Sequence, residues 1–177
     1  MKQVVYLISC GTPNAQQLYE LIPLLQSANF DVCSILTPYT TRFVDQNRLA
    51  RLTGHPVRSD YKQPEDPDAL PPADVVVVFP ATFNTINKWA LGISDTLALG
   101  LLCEFTGMHL PILAIPVVRE FKLAAHPAFP RSLRMLRRYG VHVLYDTEKY
   151  PPRNERPSEV IIEALQAIVG ESREETH

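Results

Sequence analysis

Four short turns carry most of the side chains in this sequence that could hold a small charged molecule: Gly11-Thr12-Pro13-Asn14, Thr37-Pro38-Tyr39-Thr40-Thr41, Pro80-Ala81-Thr82-Phe83-Asn84-Thr85 and Pro116-Val117-Val118-Arg119-Glu120. Each follows an apolar run, and the first three precede a helical pattern. Free N–H groups and the dipole at a helix start favour an anion, and small hydroxyls can donate to phosphate oxygens without adding bulk or charge. A phosphorylated cofactor or substrate is the ligand class this chemistry suits. The same residue types are also ordinary N-caps, worth roughly 1 kcal/mol each, and any one turn alone is a cap before it is a ligand site. The recurrence of the pattern is what points to phosphate. In the fourth turn, Arg119 could hold a phosphate or carboxylate in a two-pronged contact and Glu120 could act beside it as acid or base. The plainer alternative is an exposed Arg–Glu pair of little energetic consequence.

Missing motifs narrow the ligand. Gly11 lacks the other glycines of G-x-G-x-x-G, and G-x-x-x-x-G-K-[ST] does not occur, so neither a standard dinucleotide fold nor a nucleoside triphosphatase is supported. Something smaller, such as a mononucleotide, remains. There is no G-x-S-x-G elbow and no His/Cys cluster at metal-ligand spacing, and no metal is expected. The three cysteines, Cys10, Cys33 and Cys103, are odd in number and widely spaced in apolar segments, which suits a reducing cytoplasm rather than a disulfide framework. Cys10 is read as a buried thiol, although it ends a strand beside a glycine.

The elements that must position these turns alternate along the chain. "VVYLIS" (4–9), "DVCSIL" (31–36), "DVVVVF" (74–79), "LPILAIP" (110–116) and "VHVLY" (141–145) read as strands. The third is apolar on both faces, as in a parallel sheet buried between helix layers. Leu18, Leu21, Ile22 and Leu25 fall at helical spacing after the first strand. Phe43, Leu49 and Leu52 suggest a polar loop and a short helix closed by Gly54, and residues 55–73 concentrate proline and acid in an irregular connection that could cover a site. Helical segments interrupted near Gly92 follow, then a basic helix stopped by Gly140. A final helix has Pro157 near its start, Ser158 as a possible cap and Gly170 at its end. The expected fold class is α/β, a three-layer open parallel sheet of Rossmann-like type with helices on both faces. The expected organisation is one domain over 1–170 and a frayed tail over 171–177. In such sheets ligands bind outside the carboxyl ends of the strands, so the four turns should gather at one rim.

Composition adds little. A hydrophobic fraction of 46%, 20% charged residues and a net charge of -2 describe an ordinary globular chain with no expected nucleic-acid partner. No apolar run reaches the roughly 18 residues of a membrane span, and "MKQVVYLISCG" reads as the first strand rather than a signal peptide. Trp89 is expected in the core or at a subunit interface. Arg131, Arg134, Arg137 and Arg138 are expected on a solvated helix face, and His55 on the surface.

"PATFNT" (80–85) resembles the Pro-Ala-Ser-Ala-Asn-Thr motif of the homo-oligomeric FMN-containing cysteine decarboxylases, a family including phosphopantothenoylcysteine decarboxylase and lantibiotic-peptide decarboxylases. "GTPNAQQLYELIPLLQSANFDVCSILTPYTTRFV", "LTGHPV", "ADVVVVFPATFNTINKWALGISDTLAL" and "YGVHVL" resemble successive segments of that family in the same order, across most of residues 3–145. The resemblance implies FMN at the strand ends. It places the phosphate at Gly11 and Thr12, at Thr37 to Thr40, and at Ala81 and Thr82, with Pro13 and Pro80 also among the cofactor-binding residues. Asn84 and Thr85 are placed near the flavin and its ribityl chain, and Phe43 near the ring. It also implies a small-molecule substrate and a homotrimer or a multiple of trimers, with the flavin at a subunit boundary.

Two departures bear on activity. The decarboxylases carry a histidine shortly before the Ala-Asp that opens the third strand. Here "KQPEDPDALPPAD" offers Asp66 or a neighbour instead, and a carboxylate matches a titrating imidazole only with a strongly raised pKa. The motif Pro-x-Met-Asn-x-x-Met-Trp is replaced by "PVVREFKL" from Pro116, with Arg119 in place of the asparagine that recognises substrate carboxylate. That stretch resembles the Val-Val-Arg-Glu segment of flavin prenyltransferases, where the Arg-Glu pair serves phosphate binding and proton transfer. Tyr150 matches a late prenyltransferase tyrosine. The turn at Gly11 lacks that group's Gly-Ala-Ser-Gly, and Asn84 follows the decarboxylase pattern. The expected function is therefore an FMN-binding, decarboxylase-like lyase acting on a small carboxylate- or phosphate-bearing substrate, with Arg119, Glu120 and Asn84 as catalytic candidates. The alternatives are a flavin prenyltransferase-like enzyme and a non-catalytic flavin-binding regulatory subunit.

Overall fold

The computed structural model of the protein describes residues 2–63, 65, 70–118, 121–146, 148–149 and 157–174. Five parallel strands, β1 (Gln3–Ser9), β2 (Phe30–Leu36), β3 (Val75–Ala81), β4 (Ile112–Pro116) and β5 (His142–Val143), lie in the order β2-β1-β3-β4-β5. The helices are α1 (Leu18–Ser27), α2 (Gln46–Thr53), α3 (Phe83–Ala90), α4 (Leu97–Gly107), α5 (Phe121–Ala124), α6 (Ala128–Arg138) and α7 (Ser158–Glu174), with 3-10 turns at Pro13–Gln17 and Pro38–Arg42.

Strand alternation assigns the two layers. Val5, Leu7, Val32, Val75 and Val77 pack with Leu18, Leu21, Ile22 and Leu25 of α1, Leu49 of α2, and Ile161, Leu165 and Ile168 of α7. Tyr6, Ile8, Ile35, Val76 and Val78 face Ile86 and Trp89 of α3, Leu102 and Phe105 of α4, and Phe129 and Leu133 of α6. Helices cover both faces, which is why all seven β3 residues are buried. Each buried Leu or Ile contributes roughly 1.5–3 kcal/mol, so both layers are well anchored. A register irregularity between Val78 and Ala81 shifts the side-chain alternation at the end of β3. Ala81 consequently joins the α3–α4–α6 layer although Val75, Val77 and Phe79 belong to the other.

Local stops work as the sequence implies at Gly54 (φ 77) and Gly140 (φ 88), where the left-handed backbone ends α2 and the chain after α6. Gly92 takes φ 71 between α3 and α4. Three expectations change. The first helix opens as a 3-10 turn at Pro13 before α1 begins at Leu18. The fifth strand is short, pairing at His142 and Val143 with Leu144 N–H still donating to Ala114 O at 2.9 Å, as suits a sheet edge. Finally, α7 does not stop at Gly170 but runs to Glu174, so the expected frayed tail is helical over 171–174. Gly170 is not among the positive-φ glycines, and its cost of about 1 kcal/mol is outweighed by the buried Leu165, Ile168 and Val169 before it.

The connection after α2 is irregular, as expected, and adds one contact at the free edge of β2. Arg58 bridges to Ile35, with Leu36 N–H donating to Arg58 O at 2.8 Å. Tyr61 then reaches the start of α4, donating to Thr96 O at 3.3 Å. Tyr6 of β1 donates to Pro71 O at 2.9 Å. Asp66 lies outside the described residues.

Candidate active site

Strand order reverses direction between β1 and β3, and at such a switch point the connections above the carboxyl ends diverge and leave a crevice. A cleft of about 580 Å³ opens there, within the roughly 300–1,000 Å³ of small-molecule sites. Gly11 and Thr12 line it from β1, Thr37, Pro38 and Tyr39 from β2, and Thr82 to Thr85 and Lys88 from β3 and α3. Thr96 and Leu99 line it from the start of α4, Val117 and Val118 from the end of β4, and Leu123 from α5. One side is therefore hydroxyl-rich and another aliphatic.

The hydroxyls are not equivalent. Thr82 caps α3, its Oγ1 accepting from Thr85 N–H at 3.4 Å and donating to Thr85 Oγ1 at 3.2 Å. Thr96 caps α4 by accepting from Leu99 N–H at 3.3 Å. Thr40 is fully buried and donates to Ser9 O at 2.8 Å, tying the β2 turn to β1. Its proton is thus committed, so in the 2.8 Å contact with Thr37 Oγ1 the donor is Thr37. Neither Thr12 nor Thr37 caps the 3-10 turn it precedes. Among the described residues the Thr12 hydroxyl makes no cap contact, and it lines the cleft with an oxygen that can both donate and accept.

Tyr39 shapes the mouth. Its ring is 55% exposed, carries the Arg42 guanidinium 4.8 Å from its centroid, and meets Phe43 edge-on at 5.7 Å. A β-carbon at Gly11 would lie 2.5 Å from Tyr39 Cδ1, 2.9 Å from its Cβ and 3.0 Å from its backbone carbon. Glycine is required because the two turns touch.

Of the sequence-derived residues, the cleft brings together Gly11, Thr12, Thr37, Thr82, Asn84 and Thr85. Thr40, Pro80 and Ala81 are buried behind it, Pro13 begins the first 3-10 turn, and Phe43 packs behind Tyr39 rather than on the cleft wall. Arg119, Glu120 and Tyr150 lie outside the described residues. Sequence reasoning gave no role to Lys88, Thr96, Leu99 or Leu123. Lys88 was findable, since it follows Asn84 by four residues and shares its helix face.

Lys88 pairs with Asp95, and among the described lining residues it is the charged one. Cys10 is buried under the third turn. Burial pushes its thiol pKa up, partly offset by hydrogen bonds from Thr85 and Thr82. Cys33 is pushed up to about 12 by burial and then by the nearby Asp31 charge. Asp31 also pairs with His55, Nε2 to Oδ1 at 2.8 Å, so His55 is partly buried rather than free on the surface. Trp89 is 2% exposed and donates from Nε1 to Thr106 Oγ1 at 2.9 Å, which makes it a core residue. Arg131, Arg134, Arg137 and Arg138 are exposed on α6. Among the described residues no three His, Cys, Asp or Glu side chains are grouped to hold a metal ion, and no helix is long and apolar enough to cross a membrane.

Sheet order, two helix layers and a cleft at the switch point define a doubly wound α/β protein of the Rossmann-like kind. Residues 1–173 match the family described as Flavoprotein, and the chain belongs to that family. It is 33% identical over 102 residues to a cysteine/cysteine sulfinic acid decarboxylase from an unknown prokaryotic organism, covering 54% of this chain and 27% of that protein. It is 30% identical over 132 residues to the coenzyme A biosynthesis bifunctional protein CoaBC of Bacillus subtilis, covering 71% of this chain and 32% of the relative. The chain thus spans about a third or less of the curated relatives it matches. Among solved structures, the epidermin biosynthesis protein EpiD from Staphylococcus aureus is 26% identical with a TM-score of 0.66, covering 80% of this chain and 82% of that one. A PPC decarboxylase complexed with pantothenoylaminoethenethiol is 19% identical with a TM-score of 0.76, covering 96% and 100%, and bears on the fold alone.

Proposed function

We propose that the cleft binds FMN and that the chain is a decarboxylase-like flavoenzyme for a small substrate bearing a carboxylate or phosphate. The observation that carries this reading is the cleft at the β1/β3 switch point, lined by hydroxyls from three strand ends in a chain of the Flavoprotein family. The donor set fits a flavin phosphate. Thr12 lines the cleft with a hydroxyl that is not used as a cap, and the turn it opens is helical and uncapped by side chains. The starts of α3 and α4 bring two further helix dipoles to the same cleft. Gly11, Thr37, Thr82 and Thr85 line the rest of the cleft, with Asn84 beside them as an exposed amide.

When bound, FMN supplies two-electron redox chemistry, and the chain positions the substrate and manages charge and protons around it. Leu99, Val117 and Val118 keep water from one wall. Asn84 offers donor and acceptor atoms to substrate or cofactor. We assign Arg119 to the substrate's anionic group and Glu120 to proton exchange, from their sequence alone. We further assign the chain to one domain, to a homotrimer or a multiple of trimers, and to the cytoplasm, in keeping with its free cysteines.

The test is direct. Protein denatured after purification should release FMN, and refolded or apo protein should quench FMN fluorescence on titration; absence of both outcomes rejects the reading. The aliphatic wall of Leu99, Val117, Val118 and Leu123 favours one second reading, flavin prenyl transfer. It requires that reduced FMN with dimethylallyl phosphate yield a flavin of increased mass, and an unchanged flavin disposes of it.

A further inference from the structure

Residues 121–145 hold five of the 17 Lys and Arg of the chain and none of its 19 Asp and Glu, although the net charge is -2. Four of the five, Arg131, Arg134, Arg137 and Arg138, stand exposed on α6, and none of these four makes an ion pair or hydrogen bond among the described residues. Helix stability does not explain the arrangement. The dipole favours Arg137 and Arg138 in the last turn but opposes Arg131 near the start. Arg134 also meets like charges at i-3, i+3 and i+4, which destabilises a helix. Arg131, Arg134 and Arg138 form one stripe about 10 Å long, which Met135 and Tyr139 flank. The same Met135 and Tyr139 line a groove of about 380 Å³, with Trp89 and Leu91 from the end of α3 and Cys103 from α4. Leu91 is 61% and Tyr139 44% exposed there, and the Tyr139 hydroxyl is fixed by donating to Ala90 O at 3.4 Å. A basic stripe and an apolar groove thus share an edge. Neither shares a lining residue with the cleft of the candidate site.

We propose that this face docks an acidic helix of a partner protein, its carboxylates on Arg131, Arg134 and Arg138 and an aliphatic side chain in the groove between Trp89 and Tyr139. Charge complementarity selects a polypeptide over a nucleic acid. A nucleic acid carries charge along its whole length, and beyond the roughly 10 Å stripe it meets a chain whose remaining charge is negative. Carboxylates at i, i+3 or i+4 and i+7 of a helix repeat the spacing of the arginines, each of which can take one in a two-pronged contact. An apolar residue beside them on the same helix face falls at the groove. The docking face is independent of the flavin reading.

The test uses the full chain and a fluorescein-labelled synthetic peptide of about 16 residues, long enough to hold a helix, with Glu at i, i+3 and i+7 beside two Leu. Anisotropy titrations compare it with two relatives, one with Gln for each Glu and one with Gln for each Leu. The wild type should bind the parent peptide about tenfold more tightly than either, and the advantage over the Gln-for-Glu peptide should shrink as salt rises. Arg134→Glu combined with Arg138→Glu should abolish that advantage. Leu91→Gln should weaken the parent peptide about threefold and leave the Gln-for-Leu peptide unchanged. Arg134→Glu alone should raise Tm by about 2 °C, because three repulsions along α6 become attractions. No binding of the parent peptide, equal affinity for it and either relative, or a lower Tm for Arg134→Glu each overturns the proposal. A single-stranded oligonucleotide bound as tightly as the peptide overturns it in favour of nucleic acid. A change of oligomeric state in Arg134→Glu by sedimentation velocity overturns it in favour of a second copy of this chain.

Discussion

Replacing Gly11 with alanine should destabilise the protein through one identifiable contact. The added β-carbon meets Tyr39 at three atoms, Cδ1 at 2.5 Å, Cβ at 2.9 Å and the backbone carbon at 3.0 Å. The ring can swing into solvent, since Tyr39 is 55% exposed, but doing so gives up the Arg42 guanidinium at 4.8 Å and the edge contact with Phe43 at 5.7 Å. Those two contacts are worth about 0.5–1 kcal/mol each. The Cβ and backbone contacts cannot be relieved by a rotamer change, so the β2 turn must move by a few tenths of an ångström. Overpacking of this kind costs about 1–3 kcal/mol, and the low half of that range applies at a half-exposed turn. For a chain of this length a loss near 1.5 kcal/mol lowers Tm by about 3–6 °C. Urea titration should show a lower midpoint with unchanged slope. The mechanism is checked by a double-mutant cycle with Tyr39→Gly, which removes two of the three contacts and whose own backbone penalty cancels in the cycle. Gly11→Ala should then cost less by about 1 kcal/mol. An equal cost in both backgrounds would show that the Tyr39 contact is not the cause.

Other consequences follow from the same geometry. Thr12→Val should leave stability within about 0.5 kcal/mol, because no cap is lost, while weakening FMN about tenfold and sparing riboflavin; equal weakening of both flavins would remove Thr12 from the phosphate. Thr82→Ala should cost about 1 kcal/mol in urea by uncapping α3, and a neutral result would deny the cap. Ser158→Ala should cost about 1–2 kcal/mol, since Ser158 donates to Glu20 Oε1 at 2.7 Å and accepts from Gln17 Nε2 at 3.1 Å between α7 and α1. Cys33 has a folded pKa raised above its unfolded value, so its contribution is fully present below about pH 9 and lost as pH rises toward about 12. Cys33→Ala should flatten the fall in urea midpoint between pH 8.5 and 10.5, and an unchanged slope would show that other groups set it.

The layers of this fold were readable because each strand is long enough for alternation to report two buried faces. Val75 to Val78 are apolar at every position, and only a sheet covered on both sides makes that stable in water. The stops at Gly54 and Gly140 were readable because the chain needs positive φ there, and glycine supplies it. Gly170 has the same residue type and a different fate. Its neighbours' burial against α1 and the sheet is a tertiary fact that no local pattern carries. The short β5 is similar, since the number of residues that pair at an edge depends on where β4 and its neighbours leave off. His55 was misplaced for the same reason, its Asp31 partner lying 24 positions away on another element.

The site divides along a different line. The sequence located the turns, because strand ends of a parallel sheet must converge, but it could not say which hydroxyl is free to serve a ligand. That depends on where each proton goes. Thr40 donates to Ser9 O, which obliges Thr37 to donate to Thr40 and turns the lone pairs of Thr37 outward. An anion approaching Thr37 therefore meets an acceptor unless the Thr37–Thr40 bond breaks. Thr82 gives its lone pair to the Thr85 amide and its proton to Thr85 and the buried Cys10 beneath it, so it organises α3 before it can touch anything else. Thr12 caps nothing, and its hydroxyl lines the cleft. Among four threonines of one composition, the committed protons make Thr40 a strut, Thr82 a cap and Thr37 a reluctant donor, and leave Thr12 as the hydroxyl whose loss a phosphate should feel most.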